Sequence, residues 1–139
     1  SPEFPSCRGR IMHILQEEDK LQQIVKLIGG DVLPDDQKLV LEIARVIRLG
    51  FLQQNAFHPE DTFVPMEKQL KMMETILYLY NKCKALIDMN MPMALLREQG
   101  IFEKIIAIKY EVGNKELYKF DQYRAMIDEF HRKIMETNA

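Results

Sequence analysis

Apolar positions along this chain recur at spacings of three and four, in blocks separated by glycine and proline, which is the pattern of amphipathic helices. The first block predicts a helix from about Cys7 to Ile28, with Ile11, Ile14, Leu15, Leu21, Ile24, Val25 and Ile28 on its apolar face. Gly29-Gly30 supplies its stop, because glycine tolerates the left-handed cap conformation. After a loop from Gly30 to Asp36, a second helix is predicted over about Asp35 to Gln53, burying Leu39, Ile43, Val46, Ile47 and Phe51. Gly50 weakens its last turn. Gln54 to Val64 reads as a loop. Pro65 suits the first turn of a third helix, running to about Met89, with Met66, Leu70, Met73, Ile76, Leu77, Tyr80 and Leu86 as its buried stripe. Pro92 opens a fourth segment that Gly100 is placed to divide; its second half, Ile101 to Tyr110, lines up Ile105, Ile106 and Ile108. Past Gly113-Asn114, a last helix from about Glu116 to Met135 carries Tyr123, Met126, Ile127, Phe130 and Ile134.

No segment shows the period-two alternation of a strand. The expected fold is therefore all-α, an irregular bundle of five to six helices, with no internal repeat. The 139 residues, 47% hydrophobic and 29% charged, suit one globular domain that builds a core without disulfide or metal staples. Ser1-Pro2-Glu3-Phe4 reads as a cloning scar, so residues 1–5 are set aside as scar or disordered. Residues 6–139 then form a single domain excised from a longer protein. A net charge of -2 argues against an independent nucleic-acid binder. Cys7 and Cys83 read as free thiols, and no apolar run reaches membrane-spanning length.

Catalytic chemistry is hard to assemble from these residues. His13, His58 and His131 are scattered, and no Cys/His cluster offers metal-ligand spacing. Gly29-Gly30 lacks the Lys-Ser/Thr that would follow in a phosphate cradle. The adjacent acid pairs Glu17-Glu18 and Asp35-Asp36 read as solvated surface. Nine methionines suggest a helix-binding groove, and with it a free-standing adaptor module as the alternative function. Their spacing fits a core stripe better.

Two segments stand out. From Phe51 to Phe63 the sequence FLQQNAFHPEDTF sets Phe57 and Phe63 six residues apart in a polar, proline-containing stretch. Large aromatics on a loop cover either core or a ligand, and on spacing alone the core is the commoner answer. From Leu27 to Leu39 the sequence LIGGDVLPDDQKL joins two helices; Pro34 with Asp35 and Asp36 makes a plain helix start.

Both segments, in this order and spacing, resemble the catalytic A subunit of V-type and A-type rotary ATPases, and the likeness covers the chain after its first residues. FLQQNAF is similar to the A-subunit form of this loop, which argues against the non-catalytic B subunit or an F-type homologue. The resemblance implies the C-terminal helical domain of that subunit. Phe57 and Phe63 then match the aromatics that hold the adenine of ATP or ADP. Asp31, Val32, Leu33, Pro34, Asp35, Asp36 and Gln37 match the lever tip that meets the central rotor stalk. It further implies B-subunit and central-stalk partners, Mg-nucleotide in the full-length parent, and ATP hydrolysis or synthesis coupled to proton or sodium transport. The location implied is cytoplasmic, peripheral to the membrane. The phosphate-binding loop and catalytic glutamate of that family lie outside this segment, so the fragment is expected to be inactive alone.

Overall fold

The computed structural model describes residues 3–52 and 65–137. Among these there is no strand, and the chain forms an all-α bundle. Helix α1 spans Glu3–Ile28, α2 Asp35–Ile47, α3 Met66–Asp88, α4 Met93–Glu98, α5 Ile101–Ile106, α6 Ile108–Glu111 and α7 Phe120–Thr137. Short 3-10 turns, Gly30–Val32 and Leu117–Lys119, precede α2 and α7, and a π-helical turn, Arg48–Leu52, closes α2. Among the described residues seven helices appear, where five to six were expected. The segment after Pro92 divides at Gly100, as expected, on a left-handed glycine (φ 69°), and breaks once more at Ala107.

The core lies where α3 packs on α1, α2 and α7. Because α3 is covered from three sides, it buries more than one stripe: Met72, Met73, Ile76, Leu77, Leu79, Cys83 and Leu86 are all inaccessible. The expected position Met66 is instead exposed, and Lys68 is buried on that first turn. Facing α3, α2 contributes Leu39, Ile43, Val46 and Ile47, as its periodicity requires. Behind α2, α4 and α5 add Met93, Leu96, Ile101, Phe102 and Ile105. Helix α7 buries Tyr123, Ile127, Phe130 and Ile134.

Helix α1 departs from expectation at both ends. It begins at Glu3, not near Cys7, and Phe4, set aside as part of a scar, packs against the core. Its apolar stripe outruns its packing. Ile11, Ile14 and Leu21 are buried, but Leu27 is 85% exposed and Ile28 61% exposed.

Two helix junctions lie beside the start of α2. Helix α3 ends on Asn90 in the left-handed conformation (φ 68°), with Met91 N–H donating to Leu86 O at 3.0 Å and Asn90 N–H to Ile87 O at 2.9 Å. This paired arrangement satisfies the last carbonyls of the helix. Helix α4 then starts on Pro92, and its first amide, Met93 N–H, donates to Asp35 Oδ2 at 3.0 Å. A residue at the start of α2 therefore caps a helix that begins 58 positions later.

Candidate functional site

The tip between α1 and α2 is built by local rules. Gly29 (φ 86°) ends α1, its N–H donating to Val25 O at 2.8 Å. Leu33 N–H closes the 3-10 turn onto Gly30 O at 3.2 Å, and Leu33 itself is buried, pinning the loop to the bundle. Pro34 then offers its carbonyl to Gln37 N–H and Lys38 N–H, both at 3.0 Å, which starts α2. The seven tip residues thus divide. Leu33 is core and Asp35 is half-buried as the cap of α4, whereas Asp31, Val32, Pro34 and Asp36 face outward. Gln37 is half-buried; with Asp36 it joins the wall of a cleft of about 650 Å³ between α1, α2 and α3, opposite Arg10, His13, Glu17 and Lys84. Asp35, Asp36 and Asp88 also border a smaller acidic cleft.

Beside this acidic edge lie Ile24, Leu27, Ile28 and Val32, all exposed, which makes the tip apolar as well as acidic. The sequence contained the signal for this: Leu27 falls off the buried stripe. What it could not supply was where the bundle stops.

The second candidate, Phe57 and Phe63, lies outside the described residues. Its root does not. The π-helical turn Arg48–Leu52 leads into it from α2, and Pro65 leads out into α3. Phe51 is half-buried and Leu52 exposed, and with Phe4, Ile11, Met12 and Met73 they line a cleft of about 310 Å³. At roughly 1.5 Å per residue, α2 and its closing turn put roughly 25 Å between the tip and this root. The tip and the root sit at opposite ends of one helix.

The root is held by side chains from elsewhere in the sequence. Glu18, one of the acids expected to be solvated, is buried, and its carboxylate accepts from Arg48 Nε at 2.9 Å and from Arg48 Nη2. That contact raises the Arg48 pKa further, keeping the guanidinium charged. Asp35 overturns the same expectation through its cap on α4. Lys109 Nζ donates to Leu49 O at 2.5 Å. Gly50, expected only to weaken the helix end, is buried so close to α5 that a Cβ there would lie 3.3 Å from Ile106 Cα. After Pro65, Lys68 is 2% exposed and donates to Asn114 Oδ1 at 3.3 Å. None of these partners was readable from spacing, because each joins positions at least 30 apart.

Other chemistry is sparse. Among the described residues no three His, Cys, Asp or Glu side chains gather to hold a metal ion, and no helix is long and apolar enough to cross a membrane. Met72, Met73 and Met93 lie in the core and Met91, Met126 and Met135 pack against it, so the methionines do not make up the groove an adaptor needs.

The chain is also similar to known proteins. Residues 1–96 match the family described as the C-terminal domain of V and A type ATP synthase. The chain is 42% identical over 136 residues to V-type ATP synthase alpha chain 2 of Clostridium tetani, covering 98% of this chain and 23% of that one. It is 45% identical over 130 residues to the V-type ATP synthase alpha chain of Halothermothrix orenii, covering 94% and 22%. With the V-type ATP synthase alpha chain of Thermoanaerobacter sp. the identity is 38% over 139 residues, covering 100% and 23%. The chain spans less than a quarter of the length of these relatives.

Proposed function

This chain belongs to the family of C-terminal domains of V- and A-type ATP synthases, and from that membership we propose that it carries nucleotide-driven motion from an adenine site to a rotor. In this reading Phe57 and Phe63 stack on the adenine of ATP or ADP bound with Mg in the full-length subunit. The exposed part of the tip, Asp31, Val32, Pro34 and Asp36, presses on the central stalk, while Leu33, Asp35 and Gln37 hold it in shape. The parent subunit hydrolyses or synthesises ATP coupled to proton or sodium transport, beside B subunits, in the cytoplasmic sector at the membrane periphery. The catalytic residues lie in the remainder of that subunit, and this segment alone turns over nothing.

One observation carries the reading: within a family match, the start of the segment with Phe57 and Phe63 and the acidic tip are the two ends of a single helix, α2, with its closing turn. A helix wedged between α1 and α3 moves as a body, so a change at one end reaches the other without a chain of side-chain rearrangements. The uncovered apolar residues Leu27, Ile28 and Val32 support a protein partner at the tip, since clustered exposed apolar residues mark interaction surfaces. The exposed acids Asp31 and Asp36 favour a basic one.

The test uses the full-length subunit in its assembled complex. Base–aromatic stacking is worth about 1–3 kcal/mol, so Phe57→Ala or Phe63→Ala is expected to raise KM for ATP roughly 5- to 150-fold. Tip variants such as Val32→Ser with Asp31→Asn are expected to leave that KM alone and lower ion pumping per ATP. Equal KM values for wild type and both Phe variants would refute the adenine assignment. Calorimetry on the isolated 139-residue chain is expected to show negligible ATP binding.

A further inference from the structure

Helix α2 does not stop in a regular cap. It widens into the π-helical turn Arg48–Leu52, immediately before the segment that carries Phe57 and Phe63. Such turns are rare and frequently sit at functional sites. This one is fastened from three directions. Lys109, on α6, donates its ammonium to the Leu49 carbonyl. The backbone of Gly50 lies flush against the backbone of Ile106 on α5. Arg48 is clasped by the buried carboxylate of Glu18 on α1.

We propose that Lys109 is a positioning residue for nucleotide binding, aiming the turn that precedes the segment carrying Phe57 and Phe63. The proposal rests on the reading that Phe57 and Phe63 stack on adenine. A cation at the carbonyl end of a helix completes its unsatisfied acceptors and complements the helix dipole. Here it also fixes direction. The Lys109 ammonium lies 4.8 Å from the centre of the Tyr110 ring, which narrows the positions from which it can reach Leu49.

Lys109 is not needed to keep α5 and α6 on the bundle. Ile105 and Ile108 are fully buried there, and Arg45 already bridges α2 to α5 through Glu103 at 2.7 Å. The specific consequence of the Lys109 contact is the orientation of the Leu49 carbonyl, three residues before the end of the turn. Misplacing a substrate-positioning group by about 1 Å can cost up to about a hundredfold in rate. Because catalysis itself lies elsewhere in the parent subunit, the effect should fall on KM.

The experiment places Lys109→Met and Lys109→Arg in the full-length subunit within its assembled complex, with Phe57→Ala and Phe63→Ala alongside. KM for ATP, kcat and the thermal midpoint are measured for each. Lys109→Met is expected to raise KM about five- to tenfold with kcat within about twofold and the midpoint nearly unchanged; Lys109→Arg, which keeps a cationic donor, restores most of the affinity. An unchanged KM in Lys109→Met, where the Phe variants do raise it, overturns the positioning role and leaves the adenine reading intact. Losses of KM and kcat that follow a lowered midpoint, unrescued by arginine, overturn it too. Phe variants without effect on KM remove the adenine reading itself, and this proposal with it.

Discussion

At the scale of single residues, burial sets reactivity more than residue type does. Cys83 is fully buried on α3, and desolvation, with a smaller contribution from Glu42, pushes its thiol up to about 12. Cys7 is half-buried near the start of α1, and its pKa is also raised, first by burial and then by Glu74. Since the thiolate is the reactive form, both should react slowly at neutral pH, Cys83 far more so. With iodoacetamide at about pH 8, close to the ordinary thiol pKa, mass spectrometry is expected to find Cys7 modified while Cys83 stays unmodified until denaturant is added. Equal labelling of the two in the folded chain would mean that α3 is not packed as described. The sequence identified both as unpaired thiols; only packing separates them. Lys68 behaves the same way, since its type predicts exposure and its place on α3 buries it.

At the scale of elements, the helices were legible because a face periodicity is a local property. The apolar faces of α2 and α7 came out almost residue for residue, and the glycine and proline stops fell within a few positions of the real ends. The second break, at Ala107, and the long-range caps were not legible. Asp35 looks like an N-terminal residue of α2, yet its side chain caps α4. Asp35→Ala is expected to cost about 1 kcal/mol by chemical denaturation, the usual loss when a capping acceptor is removed. Gly50 offers a sharper case, because two effects oppose each other. Helix propensity favours alanine there by about 1 kcal/mol, whereas forcing a methyl toward Ile106 Cα costs about 1–3 kcal/mol. The neighbour is backbone and cannot swing aside, so packing should win. Gly50→Ala is expected to lower the denaturation midpoint at unchanged slope. A raised midpoint would show that the turn has room to spare.

For the molecule as a whole, stability should decline in two separate windows as the pH falls. Burial, then the nearby Lys82, hold His131 below its ordinary pKa, against a weaker opposite pull from Asp128. Its folded pKa is thus lower than the unfolded value near 6.5, so the unfolded chain takes up the proton first. That contribution is intact above about pH 6.5 and is lost as the pH falls through the folded pKa. The second window lies lower. Glu103 is held below the carboxylate range chiefly by its hydrogen bond to Arg45, so its contribution is present above the ordinary glutamate value and lost below it. Thermal melts are expected to show a first drop in midpoint between about pH 7 and about pH 5, absent in His131→Gln, and a second below about pH 4.5 that the variant retains. A wild-type midpoint that stays flat across the first window would contradict the burial of His131.

Sequence by itself determined the helical class, the order of the main helices, most of the core and the family, because these follow from local periodicity and from the letters themselves. It also marked both ends of α2 as the places of interest. Tertiary structure alone decided which tip residues are free to meet a partner, that Leu33 and Asp35 are held internally, and that the stripe of α1 runs on uncovered past Leu21. It alone brought Glu18, Lys109 and Ile106 to the turn before the segment with Phe57 and Phe63. The reason is physical: a helix is specified by contacts three and four residues apart, whereas a cap, a clasp or an exposed edge depends on chain segments 30 to 60 residues away.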